Sequence, residues 1–225
     1  MTSQFPKTIA IVDGFVQEPV IYCFNRLVEN IDAKLSYHCP AKMGIDSLRK
    51  EEARTECYII LGSASHMSQN LAWHNELASF MGIALDRKIP VLGICFGHQL
   101  MAHHFGATVS FIDSDERKVD GAREIKFEAK VGKIPAGSKL NFAVSHRQIV
   151  TNPGQILQTV GKSTDFSHDV VKHPSLPYLG IQPHPEASIE FCRKDASIQD
   201  TKTIRSVQTD GLFFIYAFLD EFFGS

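Results

Sequence analysis

The chain has 225 residues, 44% of them apolar and 21% charged, with a formal net charge of −2 at pH 7. That length suits one large domain, or one domain with an extension, and the composition excludes wholesale disorder while leaving material for a sizeable core. The charges are scattered and form no cationic face to replace the counterions of a phosphate backbone, so nucleic acid is excluded as an expected partner.

The opening stretch MTSQFPKTIAIVDG carries one lysine and a five-residue apolar run, too short for a signal-peptide core. Thr8–Val12 (TIAIV), ending at Asp13-Gly14, reads as a buried strand followed by a turn. Val20, Phe24, Leu27, Val28 and Ile31 recur at three- and four-residue steps and predict a helix. Lys34–His38 alternates weakly as a second strand, and Cys57–Leu61 (CYIIL) is a fully apolar third. Leu77, Phe80, Met81, Ala84 and Leu85 mark the next helix, and Val91–Ile94 a fourth strand. Alternating helices and wholly apolar strands indicate an α/β fold: a doubly wound, mostly parallel sheet covered by helices on both faces.

After Phe105 the texture becomes strand-rich, with Glu124–Phe127, Leu140–Val144, Ile156–Val160 and Tyr178–Ile181 separated by Gly, Pro and Asp. From about Thr201 to Phe223 the apolar positions Leu212, Ile215, Tyr216, Leu219, Phe222 and Phe223 return to helical steps. The longest apolar run there, Leu212–Leu219, has eight residues, against the ~20 a helix needs to cross hydrocarbon, so no membrane span is expected. The five cysteines (Cys23, Cys39, Cys57, Cys95, Cys192) are odd in number and show no paired spacing, which points to a reducing, cytoplasmic compartment.

The chemistry concentrates in Gly93-Ile94-Cys95-Phe96-Gly97-His98-Gln99, which follows an apolar strand and precedes a helical segment. A nucleophile on a sharp strand-to-helix turn takes a strained backbone shape, and glycines two residues to either side allow the chain to approach closely; this is the G-x-S-x-G elbow with sulfur in place of oxygen. At a helix N-terminus the free N–H groups and the macrodipole favour a thiolate, and the same N–H groups can receive an oxyanion. Cys95 is the candidate nucleophile. A proton shuttle is offered by Gly180-Ile181-Gln182-Pro183-His184-Pro185-Glu186. In extended backbone, positions two apart project to one side, so Glu186 can orient His184, the arrangement that nucleophilic catalysis requires.

These two stretches, GICFGHQ and GIQPHPE, resemble the main motifs of the class I (triad) glutamine amidotransferases, in particular the GMP-synthase-like group, and the likeness spans about residues 8 to 194. The resemblance implies a flavodoxin-like doubly wound fold. It also implies hydrolysis of glutamine to glutamate and ammonia through a thioester, with Cys95 as nucleophile, His184 as general acid/base and Glu186 as its orienting partner. It further implies an oxyanion hole from the backbone N–H of Phe96 and of Gly62. Gln99 would contact substrate, and the segment from Ser145 through Arg147 to Gln148 would hold the amino-acid end of glutamine mainly by backbone. Residues 1–200 would form the amidotransferase domain, with 201–225 a helical extension packed on it. No cofactor or metal is implied, and a synthetase partner would accept the ammonia, since this length leaves no room for a synthetase domain and no P-loop motif occurs.

One departure bears on rate: where the family usually has two glycines and often a proline, this chain has Gly62-Ser63-Ala64. A loop needing positive φ at its second position would strain Ser63, which predicts an incompletely formed oxyanion hole and low basal turnover without a partner. His103 and His104 are adjacent on a helix, diverge by about 100° and cannot share a metal as an i, i+4 pair would. His98 reads as structural, His168 and His173 as loop residues, the other four cysteines as core, and Lys126, Lys130 and Lys133 as a solvated edge. Three rivals stand beside the amidotransferase reading: a hydrolase of other γ-glutamyl amides or peptides, a catalytically silent binding module, and a papain-like protease, the last disfavoured by the strand elbow and the Glu following the His.

Overall fold

A computed structural model describes residues 8–19 and 21–222. The extreme N-terminal stretch, Val20 and Phe223, each part of an expectation above, lie outside the described residues. The chain opens with β1 (Thr8–Val12), α1 (Ile21–Asn30), β2 (Lys34–His38), two short helices α2 (Pro40–Met43) and α3 (Asp46–Glu51), and β3 (Thr55–Ile60). It continues with α4 (Ala72–Asp86), β4 (Val91–Ile94) and α5 (Phe96–His104). The strand-rich second half comprises β5 (Thr108–Phe111), β6 (Val119–Phe127), β7 (Lys139–His146), β8 (Gln148–Asn152), β9 (Gln158–Lys162), β10 (Val170–Lys172) and β11 (Tyr178–Ile181). Helices α6 (Ile189–Lys194) and α7 (Thr201–Phe222) close the chain.

One sheet of nine strands runs in the order β2-β1-β3-β4-β11-β10-β9-β6-β7. From β2 to β11 every pairing is parallel; from β11 to β7 every pairing is antiparallel. The expected α/β fold is therefore present, with the strand-rich half annexed to the parallel one. Alternation along β1 shows how the layers form: Ile9 and Ile11 enter one core with Leu27, Ile59, Phe142, Phe214 and Phe218, while Ala10 and Val12 enter the opposite core with Tyr58, Leu77, Met81 and Phe96. Helices α1 and α7 cover the first face, α4 and α5 the second.

Several elements differ from the sequence expectations. In α1 the buried residues are Cys23, Arg26 and Leu27, whereas Val28 is 51% exposed. In α7 the buried stripe runs through Ile204, Val207, Phe214, Ile215 and Phe218, while Tyr216 is exposed. Phe214 and Phe218 are fully buried, each contributing ~1.5–3 kcal/mol of hydrophobic stabilisation. Ile156 is exposed and its strand starts at Gln158. β5 and β8 pair only with each other, as a two-stranded ribbon; β5 has no buried position and β8 buries only Gln148 and Val150, too short a stretch to give a strong period-two signal.

Candidate active site

The C-terminal ends of β4 and β11 lie side by side, with Ile94 opposite Ile181 and the Cys95 N–H donating to the Ile181 carbonyl at 2.9 Å. Each strand delivers its motif to the same cavity, of about 530 Å³, which Gly62, Cys95, Gln99, Ser145, Arg147, His184 and Glu186 all line. Cys95 caps α5 with φ 50° and ψ −102°, a positive-φ conformation that costs a non-glycine residue energy and marks functional turns. A side chain at Gly97 would put its Cβ 2.5 Å from the Ile60 carbonyl oxygen, and one at Gly93 would come within 2.6 Å of the Gly97 oxygen. The elbow can be this sharp only because both positions lack a side chain.

His184 is 4% exposed and Glu186 2%. Their side chains meet through Nδ1 and Oε1 at 2.8 Å. The reason differs from simple alternation: His184 is bridged to Ala143, but Pro185 and Glu186 form the centre of a β-turn closed by the Ala187 N–H on the His184 carbonyl at 3.2 Å. The Phe191 ring lies 4.4 Å from the imidazole, centroid to centroid. Gly62 also packs against the ring, close enough that an added Cβ would be 2.9 Å from His184 Cε1 and 3.6 Å from Cys95 Cβ. Burial alone would lower the His184 pKa; the Glu186 carboxylate and the nearby Cys95 sulfur outweigh it and raise it to about 10. His184 therefore holds a proton at neutral pH.

Phe96 is the first residue of α5, so its N–H has no intrahelical acceptor. Neither Gly62 nor Ser63 has positive φ, which corrects the expected strain at Ser63. Instead the Ser63 hydroxyl donates to the Gly14 carbonyl at 2.6 Å and accepts the Ser65 N–H at 2.9 Å, tying the loop after β3 to the loop after β1. Gln99 uses its amide nitrogen internally, donating to the Gln148 carbonyl at 2.7 Å and Gln182 Oε1 at 3.0 Å. Only its oxygen remains for a ligand. Ser145 faces Cys95 through its carbonyl, 3.9 Å from Sγ, and Arg147 donates to the Glu116 carbonyl.

His98 is fully buried, does not line the cavity, and has its pKa lowered to about 3 by burial. Sequence reasoning passed over His146 and the rim residues Phe15, Tyr22, Lys118 and Asp195, which also line the cavity. Tyr22 donates to Asp195 at 2.5 Å across 173 positions of sequence, a pairing that no local pattern announces. Among the described residues there is no group of three or more His, Cys, Asp or Glu placed to hold a metal, and no helix long and apolar enough to cross a membrane.

A thiol on a strand-to-helix elbow thus shares one cavity with a buried His–Glu pair at the C-terminal edge of a doubly wound sheet. Residues 45–197 match the family described as "Glutamine amidotransferase class-I", and the chain belongs to that family. One of the subunits of the glutamine-hydrolysing GMP synthase of Methanococcus maripaludis (strain C6) is 32% identical over 167 residues, 72% of this chain and 82% of the relative. The GMP synthase of Phaeosphaeria nodorum is 32% identical over 108 residues, 46% of this chain but only 20% of that much longer protein. In structure, a glutamine amidotransferase from Thermotoga maritima shares the fold with a TM-score of 0.73 at 16% identity, over 97% of this chain and 99% of that one.

Proposed function

We propose that the protein hydrolyses the side-chain amide of glutamine to glutamate and ammonia through a thioester on Cys95. The reading is supported above all by one observation: Cys95, at the strained elbow, shares a cavity with His184, whose proton is held by Glu186. Cys95 Sγ attacks the amide carbon, and the carbonyl oxygen becomes an oxyanion received by the N–H groups of Phe96 and Gly62. His184 gives its proton to the departing nitrogen, which leaves as ammonia. Water then adds to the thioester, losing a proton to His184, and the C–S bond breaks to release glutamate and return Cys95 and protonated His184 to their starting forms. Gln99 and the stretch from Ser145 to Gln148 form the wall against which the amino-acid end of glutamine rests.

Membership of the amidotransferase family, with a relative that is one subunit of a GMP synthase, supports a synthetase partner as acceptor of the ammonia. Residues 1–200 then form the amidotransferase domain, and α7, with Phe214 and Phe218 in the core, is its C-terminal extension. Free cysteines throughout and a thiol nucleophile suit a reducing, cytoplasmic setting. A second reading, hydrolysis of a larger γ-glutamyl amide, is favoured by the cavity of about 530 Å³, which falls among sites that hold drug-sized ligands, ~300–1,000 Å³. The test is steady-state glutamate release from glutamine and from a panel of γ-glutamyl amides. Release from glutamine at the highest kcat/KM supports the first reading, and release from a larger amide alone supports the second. No release from any of them overturns both.

A further inference from the structure

Behind the cavity wall lies a buried charge pair for which the proposed chemistry has no use. Arg123 on β6 donates to Asp169, just before β10, at 2.8 Å, with side-chain exposures of 8% and 0%. Such a pair is expensive to desolvate and is weak evidence of a stabilising role. The guanidinium lies 4.2 Å over the Phe166 ring, and its second amino group is 3.0 Å from His146 Nε2. A guanidinium only donates, so His146 Nε2 is the acceptor and the ring hydrogen sits on Nδ1. Nδ1 then donates to the Gln148 carbonyl, 3.2 Å away. Burial and the Arg123 charge lower the His146 pKa to about 3, so the neutral ring persists at physiological pH.

The Gln148 carbonyl is also the acceptor for Gln99, on the nucleophile helix, at 2.7 Å. The side chain of the same residue reaches the other way: Gln148 Oε1 accepts the Met67 N–H at 2.9 Å, at the end of the loop that begins with Gly62 and Ser63. Gln148 is 3% exposed. One residue thus joins the nucleophile helix, the loop carrying the Gly62 N–H and the wall from Ser145 to Gln148.

We propose that Arg123 and Asp169 are positioning residues which, through a His146 fixed in one tautomer, hold Gln148 as the bracket that sets the width of the substrate cleft. The proposal rests on the amidase reading and deepens it. Neither charge touches substrate; both act on where the substrate's amino-acid end is held, so their loss raises KM.

The experiment uses the full chain. Removing one charge strands the other in the interior and can unfold the protein, so the informative variant is the double replacement Arg123→Met/Asp169→Leu, which removes both charges at similar volume. Gln148→Met removes the acceptor for Met67. Both variants should raise KM for glutamine by about tenfold to hundredfold, with kcat and the rate of Cys95 alkylation by iodoacetamide little changed. Nitrogen-15 spectra should show a single His146 tautomer, protonated on Nδ1, that is lost in the double variant. Wild-type KM in the double variant or in Gln148→Met overturns the proposal. So does a loss of kcat and alkylation together with KM unmoved. If the wild type releases no glutamate, the amidase reading fails separately. The bracket is then judged by the His146 tautomer alone, and a spectrum unchanged by the double replacement overturns it whatever the substrate.

Discussion

The Cys95 elbow and the wall that faces it are held by different means. At the elbow, backbone geometry does the positioning: Cys95 sits at φ 50°, Gly97 lets α5 touch β3, and the parallel pairing of β4 with β11 carries His184 alongside. The wall from Ser145 to Gln148 turns between two strands and is held by hydrogen bonds from Arg123, Gln99 and Met67 to its side chains and carbonyls. A backbone device is rigid and local, and a wall built of side-chain contacts can be retuned by single substitutions. On the proposed function, chemistry is placed where the fold is least adjustable and selection of substrate where it is most adjustable.

Replacing parts of each region should sharpen this contrast, and the largest effect belongs to the elbow. Cys95→Ala should reduce glutamate release by more than about 10³-fold with no loss of thermal stability, because a smaller side chain at that turn disturbs little packing; retained turnover of a few per cent would end the nucleophile assignment. His184→Ala should cost about 10²–10⁴ in kcat, and Glu186→Gln less, since the carboxylate orients the ring and stabilises imidazolium while the histidine moves the proton. The carboxylate also helps to raise the His184 pKa to about 10. Its neutralisation should therefore move the alkaline limb of the kcat/KM profile to lower pH. A limb that does not move, or a reversal of rank, would give Glu186 another task.

Next in size comes the loop after β3. Ser63 is unstrained and tied to Gly14, so Ser63→Gly should slow turnover by about tenfold, a fraction of the 10²–10³ that loss of a whole oxyanion donor costs. A faster Ser63→Gly would restore the strain account that Gly62-Ser63-Ala64 suggested.

A separate effect concerns stability and not turnover. Burial lowers the pKa of His74 to about 4 and those of His98 and His146 to about 3, the last with help from Arg123. The unfolded chain binds protons on these rings below about pH 6.5 that the folded chain refuses. Their contribution to stability is then fully present above about pH 6.5 and falls as pH drops toward 3, with unfolding near pH 5 taking up about three protons. Urea midpoints measured across that range should decline accordingly, and a flat profile would contradict the neutral, buried assignments.

How much of this was legible follows the same division. The parallel half was readable because β1, β3 and β4 are largely continuous apolar runs, and the elbow because glycine spacing and strand-to-helix context sit within a dozen residues. The His184–Glu186 pairing was legible as well, although a β-turn and not strand alternation brings the two together. The ribbon of β5 and β8 was not legible, since its stability comes from pairing across some 40 residues and not from a pattern within either strand. Arg123, Asp169 and Tyr22 were invisible for that reason too: each carries meaning only through a partner tens of residues distant or more. In α7 a run of phenylalanines marked the helix, but with apolar residues on more than one side the buried stripe could not be assigned before packing chose Phe214 and Phe218.

The central claim is that Cys95 forms the covalent bond to the substrate carbon, and a glutamine-like chloroketone tests it most directly. Incubation followed by peptide mass spectrometry should find one adduct per chain, on Cys95, formed in competition with glutamine and absent from Cys95→Ala. An adduct on Cys57 or Cys192, or glutamate release that continues in a protein fully modified at Cys95, would contradict the account.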